Sequence, residues 1–358
     1  MEFSQDITEL EPYGFGAQEK QELHSRILTE LTRHHYRACP EYQQILDMFG
    51  IDITENMIHW DIPFLPVRLF KKLSLSSVEE HRVSKVLRSS GTGVHGESQI
   101  FLDSATARRQ TKVLIKIVQS FIGGRRLPLL VVDSPNTNKL RNDFNARSAA
   151  IRGFSIFGSE ICFALNDELE LDHESVEEFL RKYQDEKILI FGFTYMVWTK
   201  FYKSLREKNI RLTLPHARVI HGGGWKKMET IAVDRNVFNQ CLRDDFGIEF
   251  IHNYYGLVEQ TGSIFLECEH GVLHSSVWSD IAIRSAKLNF CSIGESGLIQ
   301  LNSLLPTSYP GHIVLTEDVG MLLGEDDCPC GRLGKYFRVI GRAENAELRG
   351  CSDVAYAA

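Results

Sequence analysis

The sequence contains no apolar run approaching the roughly 20 residues that a bilayer-crossing helix requires. It has no surplus of basic residues either: 40 Lys and Arg stand against 47 Asp and Glu, a formal charge of −7. That balance argues against a nucleic-acid groove as the main business of the chain. The opening Met1-Glu-Phe-Ser-Gln-Asp6 is acidic and polar, unlike a secretory signal, so a cytoplasmic protein is expected. Internal repeats and low-complexity linkers are absent. The eight cysteines, at 39, 162, 241, 268, 291, 328, 330 and 351, are scattered. In a reducing compartment this pattern disfavours a disulfide framework and leaves free thiols, a metal site or one reactive cysteine.

What is present suits a globular chain. Its 358 residues, 43% apolar and 24% charged, suffice for one large α/β domain or two smaller ones. Leu23, Ile27, Leu28 and Leu31 recur at helical spacing within an amphipathic helix expected from about Ala17 to Tyr36. Trp60 to Lys72, with two prolines, reads as an extended connector in which Lys71 and Lys72 are solvated. Four short apolar runs, Leu127–Asp133, Lys187–Gly192, Ala217–His221 and Ile248–Ile251, read as buried parallel strands alternating with helices, one of them Thr106 to Phe121. In such folds the active groups collect at the carboxyl ends of the strands. Phe193–Thr194, His221–Gly224 and Tyr254–Glu259 fall there. From Gly297 onward short strands follow one another without long helices, marking a smaller β-rich region.

Ser89, Ser90, Gly91, Thr92 and Gly93 form a hydroxyl- and glycine-rich turn before Gln99-Ile-Phe-Leu102. Glycine lets such a turn aim several backbone N–H groups at one anion, and polyphosphate suits it best. Alone, a run of this kind is more often a surface turn. Three further elements shift that balance. Tyr255-Gly256-Leu-Val-Glu259 joins an aromatic face to a carboxylate, Thr316-Glu-Asp318 ends a strand on a carboxylate suited to ribose hydroxyls, and Ile340-Gly-Arg342 supplies a guanidinium.

In this order the four elements resemble the adenylate-forming (acyl-CoA synthetase/ligase) superfamily. Gly256-Leu-Val-Glu-Gln-Thr-Gly262, Glu267-Cys-Glu269 and the tail Gly341-Arg…Glu347-Leu-Arg-Gly-Cys-Ser-Asp353 are similar to the acyl-protein synthetase (LuxE) family of bacterial luminescence systems. The resemblance implies an adenylate-forming α/β fold: an N-terminal helical segment (1–60), a nucleotide- and acyl-binding core (61–296), a β-rich subregion (297–342) and a mobile tail (343–358). It implies ATP with Mg²⁺ as cofactors and a fatty or other carboxylic acid as substrate. The acid would become acyl-AMP and pass to Cys351, then to an acyl reductase partner working with an acyltransferase. By the same correspondence Ser89–Gly93, Gly223, Gly224 and Gly256 would contact the nucleotide. Glu259 would hold Mg²⁺, Tyr255 flank the adenine, Asp318 bind the ribose with Arg342 nearby, and Phe193 and His221 face the substrate. Arg349 could lower the Cys351 thiol pKa, and nine residues from Arg342 to Cys351 can span up to ~30 Å.

The chain departs from the superfamily pattern in two places. The glycine loop, Gly-Thr-Gly-Val-His-Gly-Glu97, lacks lysine, and only 16 residues follow Arg342, leaving no counterpart of the usual mobile C-terminal domain and its catalytic lysine. The expected absence of that domain disfavours ordinary CoA ligation, although a phenylacetate-CoA ligase-type enzyme and a non-catalytic nucleotide-binding scaffold stay as alternatives. Cys328-Pro-Cys330-Gly, with Cys268, His270 and His274 upstream, could make a tetrahedral, structural zinc site, or could be no more than a cysteine-bearing turn. His221 and the Phe191, Phe193 and Tyr195 aromatics could equally be packed core residues.

Overall fold

The computed structural model describes residues 6–53, 57–88, 97–139, 146–225 and 232–343. In chain order its strands are β1 (Leu65–Pro66), β2 (Val83–Arg88), β3 (Gln99–Asp103), β4 (Leu127–Val132), β5 (Gly158–Phe163), β6 (Leu189–Phe193) and β7 (Arg218–Gly222). They continue with β8 (Phe250–Tyr255), β9 (Phe265–Glu267), β10 (Leu273–His274), β11 (Ser279–Arg284), β12 (Ser296–Ser303), β13 (Ile313–Glu325) and β14 (Lys335–Arg342). Two compact units emerge. One holds the described residues of Met1–Val118 and Gly256–Glu347, the other those of Gln119–Tyr255.

The unit built from Gln119–Tyr255 is a parallel sheet in the order β5-β4-β6-β7-β8. Every residue of β4 and β6 is buried, as continuous apolar runs covered on both faces must be. Helices His173–Lys182 and Arg235–Phe246 pack Val176, Phe179, Phe238 and Leu242 into one core with Leu130, Ile190 and Val219. The second helix begins where Asp234 accepts from the Asn236 amide, and it ends on Gly247 at φ 70°, a left-handed stop that glycine takes without strain. Just beyond β4, Asp133 receives both arms of the buried Arg147 guanidinium at 2.6 Å. That bidentate geometry is what makes a buried ion pair tolerable.

The larger unit carries an antiparallel array, β11-β12-β13-β14-β10-β9, with β1 added in parallel to β13 and a separate β2–β3 hairpin. Helix Ala17–Ala38 buries Leu23, Ile27, Leu28 and Leu31, the apolar stripe read from the sequence, and extends two residues further than expected. Between Trp60 and Lys72 the chain is less simply extended than its prolines imply. Leu65–Pro66 pairs with Val314–Leu315, and Leu69–Lys72 turns helical. Thr316–Asp318 lies inside β13 rather than at a strand end, because β13 runs on through irregular pairing to Glu325. The apolar alternation that marks a strand is interrupted after Leu315, so only the first third of β13 was legible.

Several histidines are buried in the neutral form. His24 Nε2 lies 3.0 Å from the Val277 carbonyl oxygen, and His312 Nε2 lies 3.0 Å from Thr32 Oγ1. Burial drives both from an ordinary 6.5 down to about 3, and does the same to His221. The unfolded chain takes up these protons near pH 6.5 while the folded chain refuses them, so the stabilisation is complete above that pH and is lost as the pH falls toward 3. The urea midpoint is therefore expected to fall between pH 7 and 5, a window in which ordinary carboxylates stay ionised. A midpoint constant across that window contradicts the assignment.

Candidate functional site

The parallel sheet sets three of the expected site segments abreast. Phe193 of β6 is in register with Gly222 of β7, and Gly222 with Tyr254 of β8, so the carboxyl ends of three neighbouring strands finish on one line. Gly223 and Gly224 follow β7 at φ 81° and 61°, a left-handed pair that side chains resist. Gly222 serves a different need: a Cβ there would stand 2.5 Å from the Tyr254 ring, so only glycine lets that ring lie across the strand. Tyr254 in turn stacks near Phe191, which stacks on Phe154 with ring centroids 4.0 Å apart. Tyr255 closes β8 beside it.

His221 sits one residue before Gly222, almost fully buried, its ring 4.6 Å from that of Phe238. Thr194 Oγ1 lies 3.1 Å from the Gly222 carbonyl oxygen and 2.9 Å from His221 Nδ1. That pair holds the ring in place. Phe193 is buried and belongs to the apolar core with Val132, Val197 and Phe238, so packing is a role it already performs.

Glu259, Asp318 and Arg342 lie in the other unit. Glu259 occupies a short helical turn, Val258–Gln260, and is 1% exposed. Its position is set through the backbone. Tyr309 donates its hydroxyl to the Glu259 carbonyl at 2.9 Å, and Gln260 Nε2 donates to the Leu301 and Gly311 carbonyls at 3.0 and 2.9 Å. Gly311 closes the arrangement, since a Cβ there would collide with the Tyr309 ring and stand 2.6 Å from the Glu259 carbonyl oxygen. Asp318 faces Arg342 across β13 and β14, Oδ1 to Nε 3.8 Å. Arg342 reaches Glu317 as well, at 2.6 Å, and Arg68 pairs with the same carboxylate. Gly256 opens the segment leading to Glu259, with Ile264 3.3 Å from where its Cβ would be.

Ser89, Ser90, Gly91, Thr92 and Gly93 lie outside the described residues, as do Arg349 and Cys351. The β2–β3 hairpin that flanks the glycine loop is described, with Arg88 paired to Gln99. Cys268, His274, Cys328 and Cys330 are drawn together, all four ligand atoms lying within 4.8 Å of one another. Sequence reasoning missed Tyr309, Gly311 and Glu317. The first two sit in Ser308-Tyr-Pro-Gly-His312, a turn signal whose bearing on Glu259 depends on a contact across some fifty residues.

Comparison with known proteins adds four findings. The model of the family described as "Acyl-protein synthetase, LuxE" matches residues 1–358. A long-chain-fatty-acid–luciferin-component ligase from Vibrio harveyi is 24% identical over 356 residues, covering 95% of this chain and 89% of its own. The ligase of that name from Aliivibrio fischeri is 24% identical over 352 residues, covering 95% and 90%. Among solved structures, an open conformation of 2-hydroxyisobutyryl-CoA ligase with 2-HIB-AMP and CoA superposes with a TM-score of 0.72 at 13% identity. The match covers 94% of this chain and 77% of that one. At that identity the likeness establishes the fold, which is that of the adenylate-forming ligases.

Gly311→Ala is expected to destabilise the chain by about 1–3 kcal/mol through overpacking against Tyr309 and the Glu259 backbone. Chemical denaturation reads this directly, and a variant as stable as the parent contradicts the cradle described for Glu259.

Proposed function

The chain belongs to the acyl-protein synthetase (LuxE) family, and from that premise we propose that it is an ATP-dependent acid–thiol ligase that loads a long-chain fatty acid onto its own Cys351. The family match over the whole chain is the observation that carries the reading. Placement of Phe193, His221, Gly223, Gly224 and Tyr255 along one strand-end line, and of Glu259, Asp318 and Arg342 in the other unit, supports it.

Two displacements make up the reaction. In the first, a carboxylate oxygen of the acid attacks the α-phosphorus of ATP, the new P–O bond forms, and the bond to the β,γ-pyrophosphate breaks. In the second, the Cys351 thiolate attacks the acyl carbon, the C–S bond forms, and AMP leaves with the anhydride oxygen. Ser89–Gly93 and Gly256 cradle the phosphates through backbone N–H groups and hydroxyls. The buried carboxylate of Glu259 offers the hard oxygen donors that Mg²⁺ takes, and bound Mg²⁺ neutralises phosphate charge. Asp318 accepts from the ribose hydroxyls while Arg342, held by Glu317, keeps that carboxylate in place. Tyr255 lies against the adenine. His221, neutral and anchored by Thr194, lines the acyl side together with Phe193.

A loaded thioester needs a consumer, and an acyl reductase working beside an acyltransferase fits. This reading places the chain in the cytoplasm, where ATP and reduced thiols are available. Among the described residues no helix is long and apolar enough to cross a membrane. The chemistry has no use for zinc, so any zinc held by Cys268, His274, Cys328 and Cys330 is structural.

Incubation with radiolabelled fatty acid, ATP and Mg²⁺, followed by a denaturing gel, tests the scheme. A hydroxylamine-labile label on the chain, lost in Cys351→Ser, is expected. Asp318→Ala should slow labelling by about 10–100-fold, the worth of hydrogen bonds to a charged acceptor. An unlabelled chain that releases acyl-CoA contradicts self-loading and favours a CoA ligase. Labelling unchanged in Cys351→Ser contradicts the choice of thiol.

A further inference from the structure

The turn between β13 and β14 is nine residues long, from Asp326 to Gly334, and no described residue in it belongs to a helix or strand. Such a segment needs something other than a backbone ladder to hold it. One anchor is Asp326, which accepts from the Gly334 amide at 2.6 Å and from the Ala17 amide at 2.8 Å, tying the start of helix Ala17–Ala38 to the turn. A second anchor lies at Cys328 and Cys330, which meet Cys268 and His274 from the β9–β10 hairpin.

The spacing within this group suits a tetrahedral ion. Cys268 Sγ is 4.0 Å from Cys328 Sγ, and Cys330 Sγ is 3.3 Å from His274 Nε2. A zinc ion with Zn–S of about 2.3 Å and Zn–N of about 2.05 Å at tetrahedral angles separates its sulfurs by roughly 3.8 Å and sulfur from nitrogen by roughly 3.5 Å. The observed edges bracket those values, and the two sulfurs are far too distant for a disulfide. Both hairpin tips also have the build of a knuckle. Gly271 and Gly331, at φ 76° and 77°, turn the chain back so that their amides bond the Cys268 and Cys328 carbonyls at 2.9 and 3.0 Å. Three thiolates on a dication leave one net negative charge, and the Arg332 guanidinium lies on Cys330 to meet it.

We propose that Cys268, His274, Cys328 and Cys330 bind one zinc ion, a closed structural site that staples the β13–β14 turn to the β9–β10 hairpin. Three sulfurs and one imidazole select zinc over hard cations, and four protein ligands leave no position for a substrate or a reactive water. The other buried donor group, His24, His59 and Asp280, is no competitor. Lys20 and Lys335 bring their ammonium groups to 3.7 and 3.2 Å from Asp280, occupying the charge a cation would need.

The test is metal analysis of the full chain expressed with zinc and purified without chelator, together with the visible spectrum after Co²⁺ replacement. About one zinc per chain is expected, with a Co²⁺ spectrum showing thiolate charge transfer and intense tetrahedral d–d bands. Cys268→Ser and Cys328→Ser should lose the zinc, while Cys241→Ser, remote in sequence from the cluster, should keep it. Less than a tenth of an equivalent in the parent chain, or a Co²⁺ spectrum without thiolate bands, overturns the proposal without recourse to any variant. So does full zinc retention in Cys268→Ser.

Discussion

Register along the β13–β14 hairpin is the constraint on which much of the larger unit depends. Side chains alternate faces along a strand, so a slip of one residue would carry Asp318 to the opposite face from Arg342. Pairing of Asp318 with Arg342 and of Val319 with Gly341 fixes that end, and irregular steps follow at Val319/Gly320 and Leu322/Gly324. Gly320 is needed where the strands crowd, since a Cβ there would stand 2.8 Å from the Arg338 carbonyl. Charge then reinforces geometry: Glu317 receives Arg342 and Arg68 together, so the guanidinium next to Asp318 is held from two sides.

The parallel unit solves a different problem with the same tool. Backbone ladders align the ends of β6, β7 and β8, Gly223 and Gly224 turn the chain beyond β7, and Gly222 leaves room for the Tyr254 ring. Burial takes the charge from His221, and Thr194 fixes its orientation, so the ring faces its surroundings as a neutral acceptor. On the proposed reading that is a sensible neighbour for an acyl carboxylate, because a fixed imidazolium would hold the nucleophile back as an ion pair.

Much of this was legible in the residues. Continuous apolar runs at Leu127–Asp133 and Lys187–Gly192 read as buried strands, and His221–Gly224 as a strand end where active groups collect. Asp318 and Arg342 were legible as a pair of motif elements, but their direct opposition was not, since it follows from a thirteen-residue strand that loses its apolar alternation midway. Strand β5 was missed because Gly158–Phe163 alternates poorly and exposes Ser159 to Ile161 at the sheet edge. The cradle of Glu259 was hidden for another reason. Tyr309 and Gly311 act on its backbone across fifty residues, and no local pattern announces such a contact. The Cys268–Cys330 cluster lay between these cases, its ligand types visible and its convergence not.

The central claim is that this chain activates a carboxylic acid at the α-phosphorus of ATP, and acid-dependent exchange of labelled pyrophosphate into ATP measures that step apart from any later acyl transfer. The account predicts exchange that requires Mg²⁺ and a fatty acid together and that persists when Cys351 is replaced by serine. A chain that binds ATP yet shows no exchange with fatty acids from short to long would contradict it.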